Sequence, residues 1–220
     1  MRQPHFDAVI FDFDGTVSDS AEGIFNSVLY AAEAFGYARL SDEQLRYFIG
    51  PPLQHSFMHI LGADEARAQA LVEKYRERYR SQGIYEARVY DGIPPLLSLL
   101  REAGIRLGIA SSKPTPFIQK ILAQHKLEHA FDQITGVGFS QSEPDKAALI
   151  RTTMQSLGLQ SQSRALMVGD RKFDIEGAHL AGIPCAAVLY GFGSREEFEQ
   201  AGADYIVPSP EALRSIVLED

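Results

Sequence analysis

The chain has 220 residues, 45% hydrophobic and 23% charged, with a formal net charge of −8. That length suits one core domain carrying a smaller insertion, and the acidic balance argues against partners such as a nucleic-acid polymer or an anionic membrane surface, which are held through Lys and Arg. No basic-then-apolar leader opens the sequence and no apolar run approaches the ~20 residues that span a bilayer, so a cytoplasmic location is the expectation.

Taken in chain order, the first element is the apolar run Val9-Ile10-Phe11, which ends in Asp12-Phe13-Asp14-Gly15-Thr16. It reads as a strand whose end carries two carboxylates, with Phe13 between them turned into apolar packing by strand alternation. Val17-Ser18-Asp19-Ser20 then reads as a hinge. Residues 18–87 lack strand-like runs: Asp19-x-x-Glu22 resembles a capping box, Ile24, Val28, Ala31 and Phe35 share one helical face, and Leu71, Tyr75 and Tyr79 share another. Gly50-Pro51-Pro52-Leu53 interrupts this region, because proline lacks a donor and fixes φ. Tyr75 and Tyr79 are assigned to packing. His55 and His59, four apart without a carboxylate or Cys partner, are assigned to a surface face.

Beyond residue 88 short apolar runs alternate with helical stretches. Leu107 to Ala110 precedes Thr115 to His125, Ile134 to Val137 precedes Asp145 to Leu157, and Ala165 to Val168 precedes Asp174 to Ala181. Ala186 to Leu189 precedes Ser194 to Ala201, and Tyr205 to Val207 precedes Pro210 to Val217. Thr115-Pro116 and Ser209-Pro210 each place a capping hydroxyl before a proline, and Ser194-x-x-Glu197 is a capping box. Ala147, Ile150, Met154 and Leu157 fall on one face. The single Cys185, in an apolar run, reads as a buried small hydrophobe. The pattern predicts a doubly wound parallel α/β sheet, formed by residues 1–17 and 88–220, with a small all-helical cap inserted over residues 18–87.

Ligands of such sheets bind beyond the carboxyl ends of the strands. That edge should gather Asp12 and Asp14, then Ser111, Ser112 and Lys113, then Lys146, then Gly169, Asp170 and Asp174. Carboxylates gathered without a counterion repel, and a hard divalent cation with oxygen ligands, Mg²⁺, is the economical remedy. Hydroxyl and lysine groups beside such a cation suit the outer oxygens of a phosphoryl group. An Asp can attack phosphorus while a second carboxyl protonates the leaving oxygen.

These motifs resemble those of the haloacid dehalogenase-like hydrolases. The likeness lies in Asp12-Phe13-Asp14-Gly15-Thr16, Ile109-Ala110-Ser111, Lys146 within Ser142-Glu143-Pro144-Asp145-Lys146-Ala147, and Gly169-Asp170-Arg171-Lys172-Phe173-Asp174, and with the helical insertion it spans nearly the whole chain. Lys113 competes with Lys146 for the lysine role. The resemblance implies a Rossmann-like core, Asp12 as nucleophile and Asp14 as general acid/base. It also implies Mg²⁺ on Asp12, the main-chain carbonyl of Asp14 and Asp170, with Asp174 and Gly169 supporting the site from behind and Ser111, Ser112 and Lys146 on phosphate. Phe48-Ile49-Gly50-Pro51-Pro52-Leu53, Tyr190-Gly191-Phe192-Gly193-Ser194 and Ala201-Gly202-Ala203-Asp204-Tyr205-Ile206-Val207 bring the chain nearer to bacterial members called phosphoglycolate phosphatases or 5′-nucleotidases. The expected activity is hydrolysis of a small phosphomonoester, 2-phosphoglycolate or a nucleoside 5′-monophosphate, through an aspartyl-phosphate. Because the phosphate and metal groups cannot tell one phosphomonoester from another, Gly50, Pro51, Pro52 and Leu53 are the candidates for substrate choice. A phosphomutase would use the same intermediate. A phospho-accepting regulatory domain gathers similar groups but has little use for Asp14.

Overall fold

The computed structural model describes residues 5–138, 145–159 and 164–218. The chain divides into two compact units, Met1–Asp19 with Val89–Asp220, and Ser20–Arg88.

The first unit is built on β1 (Ala8–Phe11), whose four residues are all buried. After it come α5 (Ile93–Glu102), β4 (Arg106–Pro114), α6 (Thr115–Gln124), β5 (Gln133–Val137), α7 (Lys146–Ser156), β6 (Ala165–Gly169), α8 (Lys172–Ala181), β7 (Cys185–Val188), α9 (Arg195–Ala201), β8 (Tyr205–Val207) and α10 (Pro210–Val217). The six strands order as β5-β4-β1-β6-β7-β8, and every pairing is parallel. Continuous apolar runs rather than alternation produce this sheet, because both faces must be covered. Neighbours on either side hold β1: Ala8 to Phe11 align with Arg106 to Ile109 of β4 and with Ala165 to Val168 of β6. In this order the connection from β1 leads to β4 on one side and that from its other neighbour β6 leads to β7 on the opposite side, so the β1–β6 edge is the switch point where α/β sheets bind ligands.

The second unit contains α1 (Ala21–Ala34), α2 (Asp42–Arg46), α3 (Leu53–Leu61), α4 (Glu65–Ser81) and a 3₁₀ turn (Gly83–Glu86). The chain runs out through β2 (Ser18–Asp19) and back through β3 (Arg88–Val89). Ile24, Val28 and Ala31 are buried on α1, and Leu71, Tyr75 and Tyr79 on α4, where the two tyrosine rings stack with centroids 5.3 Å apart. His55 and His59 also stack, at 6.1 Å, and both are exposed. Among the described residues no helix is long and apolar enough to cross a membrane.

Several local expectations need correction. The hydroxyl of Thr115 does not cap α6, whose N-cap is Pro114; it accepts from the Gly136 amide of β5 at 3.1 Å. Ser209 occupies the N-cap of α10 without a side-chain cap, and α1 begins at Ala21 with Ser20 as N-cap, one residue later than Asp19-x-x-Glu22 implied. Ser194 does cap α9 through the Glu197 amide at 3.2 Å, but the Glu197 side chain leaves the box for Arg171. Strand β4 does not end at Ala110: its register against β5 shifts between Ala110 and Pro114, and the irregularity carries the strand on through Ser111 and Lys113. Because β1 is buried on both faces, Ile10→Ala should lower the stability of the full chain by about 2–5 kcal/mol in urea unfolding, and a loss under about 1 kcal/mol would contradict its central place.

Candidate active site

The carboxyl ends of β1, β4 and β6 lie side by side, so residues far apart in sequence meet there. The Asp12 amide donates to the Val168 carbonyl at 2.8 Å, extending the β1–β6 ladder one residue past the strand. Phe13, fully buried, is followed by a tight turn in which its carbonyl accepts from the amides of Thr16, Val17 and Ser18. The turn requires φ +86° at Gly15, a left-handed value that glycine adopts without strain. A Cβ there would also lie 2.1 Å from Asp170 Oδ2.

One oxygen from each of Asp12, Asp170 and Asp174 falls within 4.8 Å of the others. Their partners differ. Asp174 is committed on both oxygens: Oδ1 to the Lys146 ammonium at 2.7 Å, Oδ2 to the amides of Asp170 at 3.1 Å and Arg171 at 3.0 Å. Its carboxylate therefore shapes the loop after β6. Gly169 makes room for it, since a Cβ at that position would meet Asp174 Cγ at 2.2 Å. Asp12 Oδ1 lies 2.8 Å from Lys146 Nζ, an ion-pair contact, yet this buried atom receives no aligned hydrogen bond. Asp170 is wholly buried.

Burial, joined by the charges of Asp174 and Asp12, pushes the Asp170 carboxyl well above the usual carboxylate range. Burial also raises Asp174, against the pull of Lys146, to about 6. Burial works to lower the Lys146 ammonium, but the carboxylates of Asp12 and Asp174 outweigh it and hold the group charged, above the ordinary lysine value.

Lys113 and Lys146, rivals in the sequence, have different partners. Lys146 opens α7, where the Asp145 side chain caps the Ala148 amide at 3.2 Å, and its stem passes over α8 at Gly177, where a Cβ would meet Lys146 Cγ at 2.7 Å. Lys113 grips both oxygens of Asp14, at 2.8 and 3.0 Å, and lies 5.9 Å from the Phe13 ring centroid. The Asp14 side chain thus stands outside the three-carboxylate cluster. Ser111 is buried beside it and accepts from the Lys113 amide at 3.3 Å, and a hydroxyl that accepts there can still donate. Ser112, half-buried, lies between these two on the strand and alternates to the other side. Of the segment around Lys146, Ser142, Glu143 and Pro144 lie outside the described residues.

Asp12, Asp170 and Asp174 converge around the Lys146 ammonium, and a divalent cation among them would favour the ionised carboxylates that burial opposes. The donor set is all oxygen, which suits a hard cation such as Mg²⁺. Sequence reasoning missed the grip of Lys113 on Asp14 and the attachment of Glu197 to Arg171 Nε at 3.0 Å and to the Lys172 amide at 2.7 Å, which ties α9 to the loop after β6. No spacing rule announces such pairs across 99 or 26 residues.

A family model described as haloacid dehalogenase-like hydrolase matches residues 9–188. Over 217 residues the chain is 40% identical to a 5′-nucleotidase of Pseudomonas aeruginosa, covering 99% of this chain and 96% of that one. It is 33% identical over 198 residues to the tyrosine-protein kinase PtkA of Mycobacterium tuberculosis, covering 90% of this chain and 67% of the relative. A crystal structure described as a predicted phosphatase from Clostridium acetobutylicum superposes with TM-score 0.89 at 42% identity, covering 96% of this chain and 97% of that chain. The chain belongs to the haloacid dehalogenase-like hydrolases and is an enzyme of that family.

Removing one partner of a buried ion pair leaves the others uncompensated, at a cost of about 3–5 kcal/mol. Lys146→Met, which strands Asp12 and Asp174, should therefore lose about 3 kcal/mol in urea unfolding near neutral pH. Unchanged stability would show that the two carboxylates are compensated by something else.

Proposed function

We propose that this chain is a Mg²⁺-dependent phosphatase that hydrolyses a small phosphomonoester through a phosphoryl group carried on Asp12. The observation that carries the reading is the place of Asp12: a carboxylate at the end of the central strand, charge-balanced by Lys146 at 2.8 Å and grouped with Asp170 and Asp174 where a cation would sit. A nucleophile must keep lone pairs available, and Asp174, with Lys146 and two main-chain amides on its oxygens, keeps the fewest.

In the first step Asp12 attacks phosphorus and the bond to the leaving alcohol oxygen breaks, while Asp14, entering this step protonated and with one oxygen released from Lys113, donates the proton that oxygen needs. In the second, Asp14 takes a proton from water as it attacks phosphorus, the Asp12–phosphorus bond breaks, and inorganic phosphate leaves. Lys113 aims the Asp14 carboxylate, the form that takes the proton from water, by holding both its oxygens. Ser111 and Lys146 would take the outer phosphoryl oxygens. Asp12, the Asp14 carbonyl and Asp170 would hold Mg²⁺, which supplies positive charge against the phosphoryl oxygens.

The full-length likeness to a protein named 5′-nucleotidase puts nucleoside 5′-monophosphates first among substrates, with 2-phosphoglycolate second. Substrate choice is assigned to Gly50, Pro51, Pro52 and Leu53, a turn fixed by φ +105° at Gly50 and by Pro52 at the N-cap of α3. Transfer of the phosphoryl group to a sugar hydroxyl, as in a mutase, would leave less free phosphate than substrate consumed.

Phosphate release from a panel of nucleoside 5′-monophosphates, 2-phosphoglycolate and sugar phosphates should require Mg²⁺, stop with EDTA, and fall by on the order of 10³-fold or more in Asp12→Asn. Undiminished turnover in that variant would sink the covalent route. Leu53→Ala should shift the ratio of kcat/KM between a nucleotide and 2-phosphoglycolate by about tenfold, the scale of one apolar contact. An equal change for both substrates would remove the turn from substrate choice.

A further inference from the structure

Asp170 is surrounded by groups that the reaction itself does not call upon. Thr16 Oγ1, wholly buried, donates to Asp170 Oδ1 at 3.3 Å, and the Phe192 amide donates to Oδ2 at 2.8 Å. The Tyr190 hydroxyl donates to the Thr16 carbonyl at 2.9 Å, so it pins the turn from which Thr16 reaches. Tyr190 is itself held edge-on by Tyr90, ring centroids 4.8 Å apart. Between these residues the backbone closes in: a Cβ at Gly191 would lie 2.3 Å from Asp170 Cβ and 2.4 Å from the Gly15 carbonyl, and one at Gly193 would lie 2.3 Å from the Asp170 carbonyl. The segment after β7 therefore wraps Asp170 so closely that two of its positions admit only glycine.

We propose that Tyr190–Gly193, acting with Thr16, is a clamp that aims the Asp170 carboxylate at the cation, and that Thr16 and Tyr190 are positioning residues for metal binding. The proposal rests on the reading above that Asp170 holds Mg²⁺. Each Asp170 oxygen accepts one hydrogen bond from the clamp, which leaves its remaining lone pair pointing in a set direction. Outer partners of this kind orient ligating carboxylates, and losing one costs about 10–100-fold in metal affinity or activity. Without the clamp the buried carboxylate can rotate away from the cation. With it, the cation is the partner that geometry favours. The stretch Tyr190-Gly191-Phe192-Gly193 thereby acquires a role: a tyrosine anchor, an amide donor, and two glycines that allow the approach.

Titration calorimetry of Mg²⁺ into the full chain without substrate tests this directly, with Asp170→Asn as the reference. Thr16→Val should weaken Mg²⁺ binding by about 10–100-fold and Tyr190→Phe, one step removed, by about threefold to tenfold, while Thr16→Ser restores it. In phosphate release the same variants should raise the Mg²⁺ concentration needed for half-maximal rate and return close to the wild-type kcat at saturating Mg²⁺, a split that a general loosening of the fold would not give. Binding unchanged in Thr16→Val and Tyr190→Phe but lost in Asp170→Asn would overturn the clamp and leave the metal site standing. Wild-type binding in Asp170→Asn would overturn both.

Discussion

The Lys146 ammonium between Asp12 and Asp174 is the contact on which the rest of the site depends. Carboxylates are costly to bury, and here Asp170 and Asp174 are buried and Asp12 nearly so. Lys146 reaches two of them at 2.8 and 2.7 Å, and their charges keep it protonated despite its own burial. To arrive there it must leave the start of α7 and pass α8 at a glycine. The spacing of two helices, the identity of Gly177 and the ionisation of the β1 edge follow from one side chain. Because burial and mutual repulsion oppose ionisation of Asp170 and Asp174, a divalent cation is the expected completion of the cluster rather than an accessory.

The second principle of the site is a division among aspartates by their partners. Asp174 gives both oxygens to structure, Asp14 gives both to Lys113, Asp170 gives one lone pair on each oxygen to Thr16 and Phe192, and Asp12 pairs through Oδ1 with Lys146. Chemically identical residues thus acquire different tasks from which donors surround them. The same division explains the crowding of glycines: Gly15, Gly169, Gly191 and Gly193 each stand where a methyl group would strike Asp170, its carbonyl or Asp174.

Much of this was legible in the amino-acid order. The continuous apolar runs identified the parallel sheet, since strands covered on both faces leave no alternation, and the rule that ligands sit beyond strand ends selected Asp12, Asp14, Ser111, Lys146 and Asp170 together. The capping hydroxyls were read less well: Thr115 serves a neighbouring strand and Glu197 a neighbouring loop, because tertiary partners compete with local ones for the same side chain. The irregular passage of β4 through Ser111 to Pro114 had no local signal, and it is what presents Lys113 to Asp14. The order of residues favoured Lys146 over Lys113 by its place before a helix, but the aspartates each lysine holds are set by the three-dimensional arrangement.

The central claim is that Asp12 carries the phosphoryl group. Acid quenching during turnover of a ³²P-labelled phosphomonoester, followed by peptide mapping, reads this most directly. The account predicts acid-stable, hydroxylamine-labile label on the peptide containing Asp12 and none in Asp12→Asn. Steady turnover with no label on the protein, or label on a different residue, would contradict it.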